Sequence, residues 1–300
     1  MRFSGVYLPV TTPFEDGEVA VGQLAANITR YARRGVDGFL VMGSTGEAAL
    51  VEEGEKLAVL RAARDAAGDR IVFAGVGLES TAGTVRLAKQ AAAEGADAVL
   101  VLTPFYFRGR MTEDALVGHY QRVADASPLP VLLYNVPVYT GLVIPPRVVE
   151  KLAAHPNVAG LKDSAGDVGW LLDVLARVPA DFEVLCGSAS VFLPALEAGA
   201  CGGILAAADV LPEAFVRLFR LHRDGRRREA LELQKALGAA ARAIVGAHGV
   251  AGVKAAIEAR GLAGGDPRLP LLPLSEVTRA EVRRVIEALV TDGVIDSVEI

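Results

Sequence analysis

The chain has 300 residues, 52% of them hydrophobic and 22% charged, with a formal net charge of −5 and no long basic run. Those figures fit a soluble globular protein with a sizeable core and argue against nucleic acid as a partner. No apolar stretch is expected to reach the roughly 18–20 residues of a membrane helix, and the opening MRFSGVYLPVTTPF lacks the parts of a signal peptide.

Short apolar runs alternate with longer amphipathic ones up to about residue 225. Strands are predicted at 5–10, 38–42, 71–75, 98–102, 130–134, 158–162, 182–186 and 203–206. Between them the spacing is helical; in the first such segment Val21, Leu24, Ile28 and Tyr31 recur three or four positions apart. Gly35, Gly68, Gly95 and Gly199 stand where left-handed C-terminal helix caps are expected. The run Gly35-Val36-Asp37-Gly38-Phe39-Leu40-Val41 resembles Gly95-Ala96-Asp97-Ala98-Val99-Leu100-Val101, sixty positions on, as two repeats of a two-unit βα pattern would.

Eight strands separated by helices predict an α/β fold with a parallel sheet covered on both faces. An open doubly wound sheet is the alternative; eight units favour closure into a (β/α)8 TIM barrel. After residue 226 the pattern is helix only, at 227–245, 252–259 and 275–290. The expected division is thus a catalytic barrel over 1–225 and a C-terminal helical extension over 226–300, the latter an appendage or assembly surface. Cys186 and Cys201 lie in apolar surroundings, as buried thiols of a reducing cytoplasm would.

In such a barrel the reactive groups sit at the C-terminal strand ends and the loops that follow. Those ends supply Thr11-Thr12-Pro13, Gly43-Ser44-Thr45-Gly46-Glu47, Thr103-Pro104-Phe105-Tyr106, Tyr134-Asn135-Val136-Pro137, Lys162-Asp163-Ser164 and Gly187-Ser188. Lys162 closes an apolar run, where desolvation favours a neutral amine of the kind a Schiff base needs; a structural lysine paired with Asp163 is the alternative. Tyr134 ends the preceding strand, as a proton shuttle or as a buried aromatic with a satisfied hydroxyl. The Gly43–Glu47 loop offers backbone N–H groups, two hydroxyls and a following helix N-terminus to an anion, a carboxylate or a phosphate, unless it is a plain connection. The four histidines are scattered without ligand spacing, so no metal site is expected. Nor does a Gly-x-Gly-x-x-Gly fingerprint open a βαβ unit, so no nicotinamide cofactor is expected.

Taken together, Val10-Thr11-Thr12-Pro13-Phe14, Gly43-Ser44-Thr45-Gly46-Glu47, Tyr134-Asn135-Val136-Pro137 and Gly160-Leu161-Lys162-Asp163-Ser164 resemble the dihydrodipicolinate synthase/N-acetylneuraminate lyase family over nearly the whole chain. The resemblance implies a barrel with a helical C-terminal region, a covalent imine on Lys162 with pyruvate or another 2-oxo acid, no metal or nucleotide cofactor, and a homotetramer built as a dimer of dimers. It makes Tyr134 the proton shuttle, with Thr45 and Tyr106 in the hydroxyl relay and Tyr106 reaching into a neighbouring subunit. It makes Ser44 and Thr45 the carboxylate-holding turn, and Gly187 and Ile204 backbone positions lining the pyruvate pocket.

The departures bear on the second substrate. Synthases that condense pyruvate with aspartate semialdehyde typically carry an arginine where this chain has Tyr139, and a single hydroxyl cannot replace a guanidinium fork for a carboxylate. Glu53 and Lys56 stand where histidines of a lysine-feedback site often do. Glu79-Ser80-Thr81, Tyr106-Phe107-Arg108-Gly109-Arg110-Met111 and Gly249-Val250-Ala251-Gly252-Val253-Lys254 look more like 4-hydroxy-2-oxoglutarate aldolases, whereas Thr45 looks more like the synthases. The expected activity is cleavage of a 4-hydroxy-2-oxo acid, with Ser164 and Tyr139 as candidates for contacting its distal end. The alternatives are the synthase or a sugar-acid aldolase or dehydratase.

Overall fold

A computed structural model describes residues 2–300. Eight parallel strands close into a barrel: β1 (Gly5–Leu8), β4 (Gly38–Val41), β5 (Ile71–Gly75), β6 (Ala98–Leu102), β7 (Val131–Asn135), β8 (Val158–Asp163), β9 (Glu183–Cys186) and β10 (Gly202–Ile204). Neighbours pair in chain order, and β10 returns to β1 with Val6 opposite Gly203. Two further short strands, β2 (Phe14–Glu15) and β3 (Glu18–Val19), form an antiparallel hairpin outside the barrel.

Alternation along each strand divides its apolar residues between two cores. Tyr7, Leu40, Phe73, Leu132 and Leu185 point inward and fill the barrel with Phe3 and Ile204. Val6, Phe39, Val72, Val131, Leu133 and Val184 point outward against the helices. Those helices include α1 (Val21–Ala32), α2 (Glu53–Ala67), α3 (Thr81–Ala93), α4 (Glu113–Ala126), α5 (Pro137–Thr140), α6 (Pro146–Ala153), α7 (Val168–Leu175), α8 (Phe192–Ala198), α9 (Ala206–Val210) and α10 (Pro212–Arg223). The four glycines expected to end helices have φ of 78°, 60°, 82° and 119°, a region closed to most side chains.

Several boundaries differ from the sequence expectation. The first strand stops at Leu8 because Pro9 has no N–H to continue the ladder. The last stops at Ile204 because Ala206 already opens α9. The β2–β3 hairpin was not expected, although Asp16-Gly17, both at positive φ, is a strong hairpin-turn dipeptide.

The C-terminal helices α11 (Arg227–Ala241), α12 (Ala247–Ala259) and α13 (Glu276–Thr291) follow. The first two were expected as separate helices. They form one run joined by a π-helical turn at Arg242–Gly246, and α12 bends where Gly249 leaves helical geometry (φ 56°, ψ −141°). The 33-residue run Arg227–Ala259 is therefore long and apolar enough to cross a membrane by length and composition, contrary to expectation. Its small apolar residues have another use, since Val245, Gly249, Val250 and Val253 face the barrel mouth. The buried Arg260 guanidinium anchors the region, donating to the Val210 carbonyl at 2.6 Å and the Val298 carbonyl at 2.8 Å.

His119, on α4, shares a 2.9 Å hydrogen bond with Thr81 through Nδ1, and burial lowers its pKa to about 4 against a smaller opposing pull from Glu79. Unfolding therefore takes up a proton as pH falls from 6.5, and stability drops toward pH 4 by up to about 3 kcal/mol. In His119→Gln that part of the acid slope should vanish, which urea midpoints at pH about 4.5 and about 7 will show.

Candidate active site

Strand register builds the centre of the site. Tyr134 on β7 lies opposite Lys162 on β8, and the next pair is Asn135 with Asp163. Lys162 is 4% exposed, and its Nζ lies 4.5 Å from the centroid of the Tyr134 ring. The expected alternative, an ion pair with Asp163, is not formed. Asp163 Oδ1 instead accepts from Asn135 Nδ2 at 2.7 Å and from the Ala165 N–H at 3.2 Å. Asn135 Oδ1 accepts from the Ile144 N–H at 3.0 Å, so the carboxylate is held by a fixed amide. Burial also raises the Asp163 pKa, against the pull of those hydrogen bonds. Lys162 is thus an amine buried in the barrel mouth with no ion pair among the described residues.

The Tyr134 hydroxyl lies 3.4 Å from Ser44 Oγ, a long contact. Burial pushes its pKa up, but the Lys162 charge and hydrogen bonds from Ser44, Ser164 and Lys162 outweigh burial and leave it below the ordinary phenol value. A phenol tuned this way gives up its proton more readily, as a shuttle must.

Ser44 and Thr45 sit in a succession of turns between β4 and α2. The Glu47 N–H donates to the Ser44 carbonyl at 3.1 Å and the Ala48 N–H to the Gly43 carbonyl at 3.2 Å. The next helix, whose N-terminus was expected to favour an anion, starts where the sequence placed it and carries its own cap. Helix α2 begins at Glu53, and its first turn is closed by a reciprocal capping box of Glu52 and Glu55. Hydroxyls and turn N–H groups are what this loop presents.

A cavity of about 160 Å³ gathers Ser44, Thr45, Tyr134, Tyr139, Lys162, Ser164, Gly187 and Ile204, under a roof of Val245, Gly249, Val250 and Val253. Of the residues singled out in the sequence, only Tyr106 lies elsewhere. It is 76% exposed and stacks edge-on against Phe107 at 5.0 Å, on a loop whose Phe105 and Tyr106 N–H groups donate to the Glu79 carboxylate. A second cavity of about 500 Å³ opens beside the first and shares Ser44, Tyr134 and Tyr139 with it. Its walls are apolar, including Leu100, Leu102, Phe105, Leu271 and Leu272.

The sequence profile of the dihydrodipicolinate synthetase family matches residues 2–289. This chain belongs to that family. Among relatives, it is 35% identical over 287 residues to a 4-hydroxy-tetrahydrodipicolinate synthase of Exiguobacterium sp., covering 95% of this chain and 97% of the relative. It is 37% identical over 284 residues to a probable mitochondrial 4-hydroxy-2-oxoglutarate aldolase of Emericella nidulans, covering 92% of each. A solved structure of a prophage protein of the same family from E. coli K12, in complex with pyruvate, superposes with a TM-score of 0.91 at 29% identity, over 96% of this chain and 99% of that one. Like its family, the chain is a carbon–carbon lyase of aldolase type.

Sequence reasoning missed the family member's roof. The spacing of 227–259 places an interruption between 245 and 252, around Gly249, but does not show that the chain turns there over the barrel mouth. Asn135 was visible only as part of a motif. Among the described residues no three His, Cys, Asp or Glu side chains gather as a metal-binding group.

Gly187 is required by close approach. A Cβ there would stand 2.0 Å from Ser164 Oγ, 2.9 Å from the Asp163 carbonyl and 3.1 Å from Lys162 Cε. Gly187→Ala should displace the lysine and cut lyase activity on the order of 100-fold, with circular dichroism near that of the parent.

Proposed function

We propose that this family member is a pyruvate aldolase of the 4-hydroxy-2-oxo-acid type that works through an imine on Lys162. The observation that carries the reading is a buried amine without a counter-carboxylate, register-paired with Tyr134 inside a cavity lined by hydroxyls. The neutral amine attacks the substrate ketone, water leaves, and the protonated imine receives the electron pair of the C3–C4 bond as it breaks. Tyr134, in contact with Ser44 and with Thr45 as the next member of the relay, passes its proton on and takes the 4-hydroxyl proton, and the aldehyde departs. A proton returns to C3 of the enamine, and water then releases pyruvate. Ser44 and Thr45 hold the substrate carboxylate and so fix the reacting carbons. The pyruvate bound to the E. coli relative supports this choice of acid.

Tyr139 and Ser164 offer hydroxyls for the substrate's distal end. Arg108 supports the synthase as a second reading. Its guanidinium lies beside Gly141, two residues after Tyr139 and 3.2 Å from where a Gly141 Cβ would be, which puts a cation for the carboxylate of aspartate semialdehyde next to that turn, outside the lining of either cavity.

We also propose assembly through the exposed aromatic loop. Tyr106 and Phe107 are 76% and 67% exposed, and the apolar cavity of a second copy, with its Leu271 and Leu272, is a matching surface. In that dimer Tyr106 would complete the partner's relay. Tyr106→Ala/Phe107→Ala should sediment as a smaller species than the parent.

Borohydride with pyruvate should inactivate the enzyme and leave one adduct, mapped by mass spectrometry to Lys162; an intact Lys162 would sink the imine reading. Tyr134→Phe should keep the adduct while losing roughly 100-fold or more in turnover. Rates with 4-hydroxy-2-oxoglutarate, aspartate semialdehyde plus pyruvate, and 2-keto-3-deoxygluconate choose among the second substrates. A clear preference for aspartate semialdehyde would replace the aldolase by the synthase.

A further inference from the structure

The strip that carries Ser44 and Thr45 is bracketed by two non-glycine residues in the left-handed region, Met42 at φ 55° and Glu47 at φ 53°. Such a backbone persists only where its surroundings over-determine it. Thr12 contributes from within the barrel, its Oγ1 donating to the Gly46 carbonyl at 2.7 Å. The other restraints come from far along the chain. The Glu47 carboxylate turns inward onto Lys254 Nζ at 2.7 Å, with each side chain 1% exposed. Its second oxygen accepts from the Arg268 N–H at 2.9 Å.

Both partners are themselves fixed. Lys254 donates to the Asp266 carbonyl at 3.0 Å and lies over the Phe14 ring at 4.6 Å. Arg268 stacks on the same ring at 4.2 Å and donates to Glu55 at 2.6 Å and to the Leu50 carbonyl at 2.7 Å. Lys254 sits on α12 and Arg268 in the segment beyond it, and neither lines the lysine cavity. A buried ion pair is a poor device for stability alone, because desolvation offsets attraction; its better-attested use is to select one arrangement.

The charge matters as well as the geometry. Glu47 closes the turn that begins at Ser44, so its carboxylate belongs to the loop read above as the holder of a substrate carboxylate. Unbalanced, it would repel that anion. Lys254 cancels it.

We propose that Lys254 and Glu47 are a positioning pair through which the C-terminal helical region sets the affinity of the Ser44–Thr45 turn for the 2-oxo acid carboxylate. The inference rests on that reading of the turn. The test compares borohydride trapping on Lys162 by pyruvate and by methyl pyruvate, which keeps the ketone and lacks the charge. Lys254→Met should raise the half-saturating pyruvate concentration about tenfold, equivalent to ~1.4 kcal/mol, and leave that of methyl pyruvate unchanged. Glu47→Gln/Lys254→Met, which strands no charge, should shift pyruvate in the same direction by less, and it carries the test if the single variant does not fold. Folded variants with parental pyruvate trapping, or an equal shift for both probes, would overturn the pairing role. If the parent itself trapped both probes equally well, the carboxylate reading of the turn would fail, and the proposal with it.

Discussion

An amine buried among apolar strand residues, with no carboxylate turned toward it, is the constraint around which the rest of the site is arranged. Removing a cation from water is costly, and a fold ordinarily offsets that cost by pairing the charge. Here the carboxylate next to it in the chain, Asp163, is turned away and satisfied by Asn135 and a backbone N–H. What faces Lys162 is the ring and hydroxyl of Tyr134. The two are adjacent because β7 and β8 are parallel and in register, so the barrel itself delivers the phenol and the amine to one point.

The barrel was legible because alternation of short apolar runs with helical spacing is imposed by two cores that share the same strands. The strand ends were legible for the same reason, and with them Lys162, Tyr134 and the Ser44–Thr45 turn. The roof was not. Val245 was expected to end one helix and Val253 to lie in the next, with Gly249 and Val250 between them, whereas a π-helical turn and a bend at Gly249 join the run and bring all four over the cavity. Periodicity reports which residues share a face; it carries no information on where a long helix is redirected. Lys254 was hidden likewise, since its partner Glu47 stands more than two hundred positions earlier.

The position of Tyr106 shows a different limit. The residues Glu79 and Tyr106 both stood in motifs, and their hydrogen bond ties the aromatic loop down with its rings exposed. In the proposed dimer the surface those rings meet would belong to a second copy, and neither one sequence nor one chain contains that geometry. The chemistry and the choice of aldehyde also reside on different pieces of chain. Lys162 and Tyr134 are on strands, whereas Tyr139 is on the single-turn helix α5, Arg108 on a 3-10 turn and Leu271 on a loop, all in connections outside the barrel strands, where substitution disturbs packing least.

The bend at Gly249 also places apolar side chains where the proposed chemistry would exchange water. In the proposed mechanism imine formation would expel one water molecule and release of pyruvate would consume another, so the site would need to be dry for one step and wet for the next. An apolar lid of valines and a glycine lacks groups to hold solvent in place, and it lies directly over the amine. On that mechanism the helical region would act as a valve as much as an appendage, and the timing of hydrolysis would belong to a part of the chain that contributes no reacting atom.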